Sequence, residues 1–343
     1  ALELPPESSA IKEIDFAFAG EAYGCELRAL VEQGGEVLSA KSEYFSVTDN
    51  LWKVCIGGGD LVTQTAPASE ARIKDVIEQA RQSYCNWFEK FFWASDDWGD
   101  LTPEPGATWF SGQARRHENT DKLKLMVDTA HEHGMRAITY GKNLAGGTVG
   151  WELARRQPQW FLVDLHGRTQ GRPATVWDLD NWHDEKYKYD DFSYKWTSRF
   201  VDLRRLDALD HGIDELIGST KQFGWDGVRF DSSGFRVHLV DGNFNGHDAV
   251  NTRNMKRMKE RLRAVYPDYL FGFNTNNNTA RIDNREYPLE PEHPMAHEMR
   301  ELLAGGGLWM GEGLRDWNNG GVHYTSWSQF AGESRRCIRT IKH

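Results

Sequence analysis

The sequence lacks the common signatures of metal, nucleotide and membrane-spanning proteins. No His-Glu-x-x-His motif, phosphate-binding Gly-Lys-Ser/Thr loop or dinucleotide fingerprint is present. No run of 18 apolar residues could span a bilayer. The four cysteines do not have metal-site spacing, and they could be thiols or form up to two disulfides: Cys25, Cys55, Cys85 and Cys337. We therefore expect no metal, no cofactor and no membrane insertion.

Positive charge is also scarce. The 343 residues include 41 Lys and Arg against 51 Asp and Glu, which gives a net charge of −10. Phosphate backbones and anionic lipids repel such a surface, so nucleic acid and membrane surfaces are not expected partners. The sequence starts at Ala1 rather than Met and has no charged and apolar leader. Any targeting peptide has therefore been removed or was never present, and the first alternative would favour an extracellular or cell-surface location.

Tryptophan, by contrast, is abundant, with 14 residues in the chain. Several of them lie beside polar residues in loop-like sequence, among them Trp93, Trp98, Trp109 and Trp317. An indole can stack on the apolar face of a sugar ring while its polar neighbours bind the hydroxyls. Burial in a large core explains the same residues equally well, so both interpretations stay open for each tryptophan.

Residues 1–66 are predicted to form a small β-rich, sandwich-like segment. Short alternating apolar patterns occur at residues 25–31, 37–40 and 51–56, and glycines separate them. This alternation is typical of strands that bury one face.

Residues 67–343 are predicted to form a (β/α)-barrel domain. Predicted strands alternate with amphipathic helices and cover residues 87–93, 136–140, 199–203, 225–231, 269–273 and 308–312. Repeated β-then-α units indicate an α/β fold with a parallel sheet, and a TIM-type barrel fits better than an open doubly wound sheet. A closed barrel needs eight units. We therefore expect the last units to be missing, either because the chain is a fragment or because another polypeptide chain completes the barrel.

The fourth predicted strand carries the most informative residues. Val228 and Phe230 alternate with Arg229 and Asp231, and Ser-Ser-Gly follows. Side chains two apart on a strand share a face, so a fixed cation would lie beside a carboxylate and keep it ionised. At the C-terminal end of a barrel strand, such a carboxylate is placed to act as a nucleophile. A plain structural ion pair is the alternative.

Polar and aromatic residues also follow the other predicted strands. The substrate-binding candidates are Asp96, Asp97, Trp98, Tyr140, Lys142, Asp202, Arg229, Asn274, Asn276, Arg315, Asp316 and Trp317. Because the C-terminal ends of barrel strands meet at one rim, these carboxylates, amides and rings suit a polyhydroxylated ligand. The predicted partner is therefore an oligo- or polysaccharide.

Glycoside hydrolysis needs two carboxyl groups, one ionised and one protonated. Asp231 fits the nucleophile because Arg229 would keep its pKa low. Glu312 fits the acid/base because Trp309-Met-Gly before it and Gly313 after it form an apolar setting that would raise its pKa. Glu312 could instead be a rim carboxylate that binds substrate. Four aspartates compete for its role: Asp96, Asp97, Asp202 and Asp316.

The motif Gly224-Trp-Asp-Gly-Val-Arg-Phe-Asp231 resembles the fourth-strand motif of retaining glycoside hydrolases of the α-amylase-like superfamily. Together with the segment Leu125–Tyr140 and a Glu on a later strand, it is similar to glycoside hydrolase family 66. That family holds the dextranases and cycloisomaltooligosaccharide glucanotransferases. Over residues 84–317 the resemblance implies a barrel enzyme with Asp231 as nucleophile and Glu312 as acid/base.

The sequence thus predicts a retaining glycoside hydrolase or transglycosylase that acts on a polysaccharide, with an α-linked glucan as the expected substrate. The main alternative is a non-catalytic carbohydrate-binding or structural subunit that has a hydrolase-like barrel. A barrel aldolase or isomerase fits less well, because Lys142 is its only candidate lysine at a strand end.

Overall fold

The structure is a computed structural model. It describes residues 9, 11, 13, 15–54, 56–94, 101–111, 116–141, 144–145, 153, 155–161, 199–230, 247–274 and 308–310. The chain divides into two compact units, residues 1–56 and 57–343. The sequence analysis places this boundary after residue 66, whereas residues 57–66 belong to the second unit.

The first unit contains an antiparallel hairpin of β1 (Ala22–Gln33) and β2 (Glu36–Val47). A 3-10 helix, Leu51–Val54, follows it. A strand was predicted at residues 51–56, and this prediction is wrong for residues 51–54, which form the 3-10 helix. The Asn50 side-chain oxygen accepts the backbone N–H of Trp52 at 3.1 Å, and this local hydrogen bond favours a turn over an extended strand.

The second unit contains ten described strands, four described α-helices and a described 3-10 helix, Pro158–Trp160. The strands are β3 (Gly57–Gly58), β4 (Trp87–Lys90), β5 (Thr108–Ser111), β6 (Arg116–Asn119), β7 (Arg136–Gly141), β8 (Leu144–Ala145), β9 (Arg199–Phe200), β10 (Gly227–Phe230), β11 (Leu270–Asn274) and β12 (Leu308–Met310). The helices are α1 (Glu70–Gln82), α2 (Thr120–Glu132), α3 (Leu206–Phe223) and α4 (His247–Val265). Six of the strands form one sheet in the order β12-β11-β10-β7-β4-β3, and every neighbouring pair is parallel.

The helices begin and end where capping residues allow. Ser69 and Asn119 precede α1 and α2, and each side chain accepts the backbone N–H three residues later. Gly134 follows α2, and Gly224 is the C-cap of α3 with a positive φ of 87°. Amphipathic helices were predicted between the strands, and α1, α2, α3 and α4 confirm this alternation. In the described part of the chain, no helix has both the length and the apolar character needed to cross a membrane.

One predicted barrel strand is wrong. Residues 199–203 do not join the parallel sheet, because β9 pairs antiparallel with β8. The sheet gains β3 instead, which pairs with Trp87 and Phe88 of β4. The described parallel strands still number six, and β10 is still fourth from the β3 edge.

The two faces of the parallel sheet have different environments. Phe88, Ala137, Val228 and Phe271 belong to the hydrophobic core, together with four residues of α1 and α2: Ile73, Ile77, Leu123 and Met126. Strand alternation puts the residues between them on the opposite face, which is the interior face of a (β/α) barrel.

Candidate active site

A buried ion pair lies on the interior face of the sheet. Arg229 on β10 donates from Nε to both carboxylate oxygens of Glu89 on β4, each at 2.7 Å. The two residues are only 2% and 1% exposed. Burying two charges costs several kcal/mol per ion, so a pair in this position needs good geometry to be tolerated.

The guanidinium lies against two neighbouring aromatic rings, whose centroids are 5.5 Å apart. Its central carbon is 4.9 Å from the ring centroid of Phe91 and 5.0 Å from that of Tyr140. Cation–π attraction at such distances is strongest in desolvated sites. Gly272 is the register partner of Arg229 on β11, and a Cβ there would lie 3.2 Å from Cβ and Cγ of Arg229. The absence of a side chain at position 272 therefore makes room for the arginine.

One donor of this arginine remains available. Nη1 of Arg229 is buried and has no hydrogen-bond partner among the described residues. A buried unpaired donor costs free energy, and on a cation the cost is larger. The arrangement therefore provides a positively charged donor for an acceptor near the C-terminal end of β10.

The backbone after β4 is strained. Phe92 has a φ of 47°, an uncommon value for a bulky side chain. Ser111 Oγ donates to the carbonyl of Phe92, and Nη1 of Arg116 donates to the carbonyl of Phe91 at 2.9 Å. The ring of Phe92 contacts that of Tyr140 with centroids 4.4 Å apart. Such strain recurs at functional sites, because the surrounding structure must hold it in place.

Four of the predicted site residues are described. Arg229 and Tyr140 lie together on neighbouring strands as register partners, and Asn274 ends β11. Asp202 lies outside the parallel sheet, and its carboxylate accepts two hydrogen bonds from Arg204, each at 2.7 Å. Asp202 was predicted to lie at the C-terminal end of a barrel strand. This prediction is wrong, because residues 199–203 are not a strand of the parallel sheet.

The remaining predicted residues lie outside the described part of the chain. They include both proposed catalytic carboxyl groups, and the full set is Asp96, Asp97, Trp98, Lys142, Asp231, Asn276, Glu312, Arg315, Asp316 and Trp317. Their roles stay predictions. Phe230, the residue before Asp231, is the last residue of β10.

The sequence analysis missed Glu89, Phe91 and Gly272. A signal for Glu89 was available, since Glu and Lys interrupt the aromatic strand Trp87-Phe-Glu-Lys-Phe-Phe-Trp93. A charged residue within such an apolar strand has either a solvent-exposed position or a buried partner. The partner could not be read from local spacing, because Arg229 is 140 residues away.

Trp93 belongs to the core rather than to a sugar-binding surface. It is 1% exposed and contacts the rings of Trp109, Phe223 and Trp225. Its Nε1 donates to Thr139 Oγ1 at 2.7 Å. For this tryptophan, burial is the correct interpretation.

The described residues do not form a metal centre. Across these parts of the chain, no group of three or more His, Cys, Asp or Glu side chains could hold a metal ion. Cys25 and Cys85 have free thiols, while Cys55 and Cys337 lie outside the described residues.

Comparison with known proteins shows a structural likeness without a sequence match. No protein-family model and no curated protein matches the chain. A Paenibacillus cycloisomaltooligosaccharide glucanotransferase, complexed with cycloisomaltoheptaose, is similar with a TM-score of 0.54 and 16% identity over 75% of this chain and 35% of that one. An α-amylase from Lactobacillus plantarum has a TM-score of 0.42 and 14% identity over 64% and 45% of the two chains. An α-galactosidase from Thermus thermophilus, in complex with stachyose, has a TM-score of 0.41 and 16% identity over 63% and 39%.

The likeness to the glucanotransferase shows the fold. Together with the parallel sheet and its helices, it confirms the predicted α/β class of TIM-barrel type, preceded by a β-rich segment. The chain spans 35% of the length of that enzyme. Activity and substrate are therefore argued from the residues of the site.

Proposed function

We propose that this chain is a retaining glycoside hydrolase or transglycosylase that acts on an α-linked glucan. One observation carries the proposal: Arg229, near the end of β10 and two residues before Asp231, is a buried cation whose Nη1 has no hydrogen-bond partner among the described residues. A nucleophilic carboxylate must stay ionised in a site that excludes water. A fixed guanidinium donor beside it provides that stabilisation.

The proposed reaction has two steps. A carboxylate oxygen of Asp231 attacks the anomeric carbon, and the glycosidic C–O bond breaks as Glu312 gives its proton to the leaving oxygen. Glu312 then takes a proton from water, or from a sugar hydroxyl in a transfer reaction. That oxygen attacks the same carbon and releases Asp231 as a carboxylate. Inversion occurs twice, so the anomeric configuration is retained.

Product analysis tests the reaction. The purified chain is incubated with a panel of α- and β-linked glucans, and NMR follows the anomeric configuration of the first product. We expect turnover of α-linked glucans with retained configuration. Inverted products would contradict the mechanism, and binding of glucans without turnover would favour the non-catalytic alternative.

Asp231→Asn tests the nucleophile. We expect loss of turnover with unchanged folding by circular dichroism, because an amide cannot form the glycosyl ester. Mass spectrometry of the wild-type chain after reaction with a fluorinated glycosyl fluoride should show a covalent adduct on Asp231. An adduct on another residue would remove Asp231 from the role.

A further inference from the structure

The pairing of Glu89 with Arg229 is unusual in its geometry. Arginine–carboxylate pairs frequently form two parallel N–H···O bonds from two different nitrogens. Here both oxygens of Glu89 approach the same nitrogen, Nε, at 2.7 Å. The carboxylate therefore holds the inner nitrogen of the guanidinium and leaves Nη1 without a described partner.

The surroundings restrict the guanidinium further. The rings of Phe91 and Tyr140 lie 4.9 and 5.0 Å from its central carbon, and Gly272 leaves space beside its Cβ and Cγ. The two bonds from Nε to Glu89 and the contacts with two adjacent rings together restrict the orientation of the guanidinium, and with it the direction of Nη1, before any acceptor arrives. Such preorganisation is what makes a charged donor effective in a reaction.

We propose that Glu89 is a positioning residue of the active site: it orients Arg229 and, as its counter-charge, limits how strongly that arginine stabilises the Asp231 carboxylate. This inference rests on the proposed function for the identity of the nucleophile. The counter-charge matters because a nucleophile that is stabilised too strongly attacks slowly. Glu89 thus keeps Asp231 ionised without making it inert.

Few other charged groups share this face of the described strands. Towards the C-terminal ends, Glu89, Tyr140 and Arg229 are the titratable or charged side chains of β4, β7 and β10 that the alternation puts there. Arg136 shares the face at the start of β7, where it lies 3.5 Å from Asp226. Removing the charge of Glu89 therefore changes the local balance around Arg229 more than any other neutral substitution on these strands.

The test follows the titration of Asp231 in the absence of substrate. Aspartate carboxyl carbons are labelled with 13C, and the Asp231 signal is assigned by its loss in Asp231→Asn. In Glu89→Gln the cation is no longer shared, so we expect the Asp231 titration midpoint to fall by about one pH unit. In the same variant, kcat on the glucan substrate should fall more than KM changes.

Glu118→Gln is the matched control. Glu118 is also fully buried and pairs with a buried cation, Lys90, at 2.9 Å, but it does not contact Arg229. We expect this variant to lose stability without moving the Asp231 titration. An unchanged titration in Glu89→Gln, or an equal shift in both variants, would overturn the inference.

Glu89→Asp keeps the test decisive if Glu89→Gln does not fold. The charge remains, but the carboxylate is one methylene shorter, so Arg229 is drawn back while the charge balance is preserved. We expect a titration midpoint close to that of the wild type together with a kcat lowered about tenfold or more. Unchanged kcat would remove the positioning role. The titration needs no turnover, so its outcome is independent of the product analysis that tests the proposed function.

Discussion

Glu89 and Lys90 are consecutive residues of one strand, yet their buried charges have different surroundings. Alternation sends Glu89 to the interior face of the sheet and Lys90 to the face that carries Phe88 and the helices. Both side chains are almost completely buried. Glu89 binds a cation with a donor, Nη1 of Arg229, that finds no acceptor in the described part of the chain, whereas Lys90 lies in a cluster with several acceptors.

The Lys90 cluster is well supplied with partners. Its Nζ donates to the carbonyls of Val62 and Thr63 at 2.7 and 3.2 Å, and it pairs with Glu118 at 2.9 Å and Asp60 at 3.4 Å. An ammonium has three donors, so these four acceptors are enough to satisfy it. The backbone N–H and hydroxyl of Thr65 also donate to Glu118.

This difference distinguishes the Lys90 cluster from the pair that we propose to belong to the active site. The Lys90 cluster ties residues 60–65 to β4 and β6, and the Lys90 ammonium has enough described acceptors for its three donors. The pair of Glu89 and Arg229 instead presents a donor near the end of a barrel strand. The proposed site therefore differs from the Lys90 cluster in its unmet donor and not in the burial of its charges.

The largest expected effect comes from removing Arg229. Arg229→Met leaves Glu89 buried without its cation, which should cost about 3–5 kcal/mol of unfolding free energy. Adding Glu89→Leu removes the unpaired charge, so the double variant should recover most of that stability. It should not recover activity, and kcat/KM should stay at least about a hundredfold below wild type. Urea unfolding and glucan turnover measure the two effects.

Lys90→Met is the comparison for this experiment. It also leaves buried carboxylates with less positive charge, and a similar loss of stability is expected. Its folded fraction should keep kcat/KM within about tenfold of wild type, because Lys90 does not contact Arg229. Recovery of activity in the Arg229 and Glu89 double variant would show that the pair is only structural.

Local patterns explain why part of the fold could be predicted. The starts of α1 and α2 depend on local sequence, because the Ser69 and Asn119 side chains cap backbone N–H groups only three residues away. The alternation of apolar and charged residues around Arg229 is also a local pattern, and it predicted β10. The pattern at residues 199–203 correctly indicated an extended segment at its start, but alternation does not specify which strand is the partner.

Two features depended on contacts that no local pattern contains. Gly57 is in a strand although glycine disfavours strands, because a Cβ there would lie 2.3 Å from the ring of Trp87. Glu89 was not a predicted site residue, because its partner Arg229 is distant in sequence. Tertiary packing decides both positions, so only the structure could reveal them.

Gly272→Ala is expected to have an intermediate effect. Its Cβ would lie 3.2 Å from Cβ and Cγ of Arg229, so the arginine or β11 must shift by a few tenths of an ångström. Overpacking of this kind costs about 1–3 kcal/mol. Because the guanidinium would move, kcat should fall about tenfold with little change in KM. Steady-state kinetics and urea unfolding check both parts.

Gly134→Ala is the control for Gly272→Ala, because it should lower stability without moving Arg229. Gly134 has a φ of 70° with open space around it, so alanine there is strained but displaces no neighbour. We expect a loss of about 1 kcal/mol and unchanged kcat. Equal kinetics in the two alanine variants would mean that the position of Arg229 does not limit the reaction.

The smallest expected effect is a pH dependence within the Lys90 cluster. Burial raises the pKa of Asp60 above its ordinary value, although Lys90 and Arg116 beside it act in the opposite direction. The folded state then binds more protons than the unfolded state, so the stability from this group is fully present below the ordinary Asp pKa of about 3.9. It is lost as the pH rises through the raised pKa. The difference in unfolding free energy, wild type minus Asp60→Asn, should therefore decrease with rising pH.

Asp210 is expected to show the opposite pH dependence of stability in the same experiment. Hydrogen bonds from Arg257 hold its pKa below the ordinary value, so its stabilisation is present above that value and is lost as the pH falls. The difference between wild type and Asp210→Asn should therefore increase with rising pH. Urea unfolding across a pH series measures both differences. If both rose with pH, the ion pairs of Asp60 would outweigh its burial, and the Lys90 cluster would stabilise the fold by charge attraction as well as by filling its hydrogen bonds.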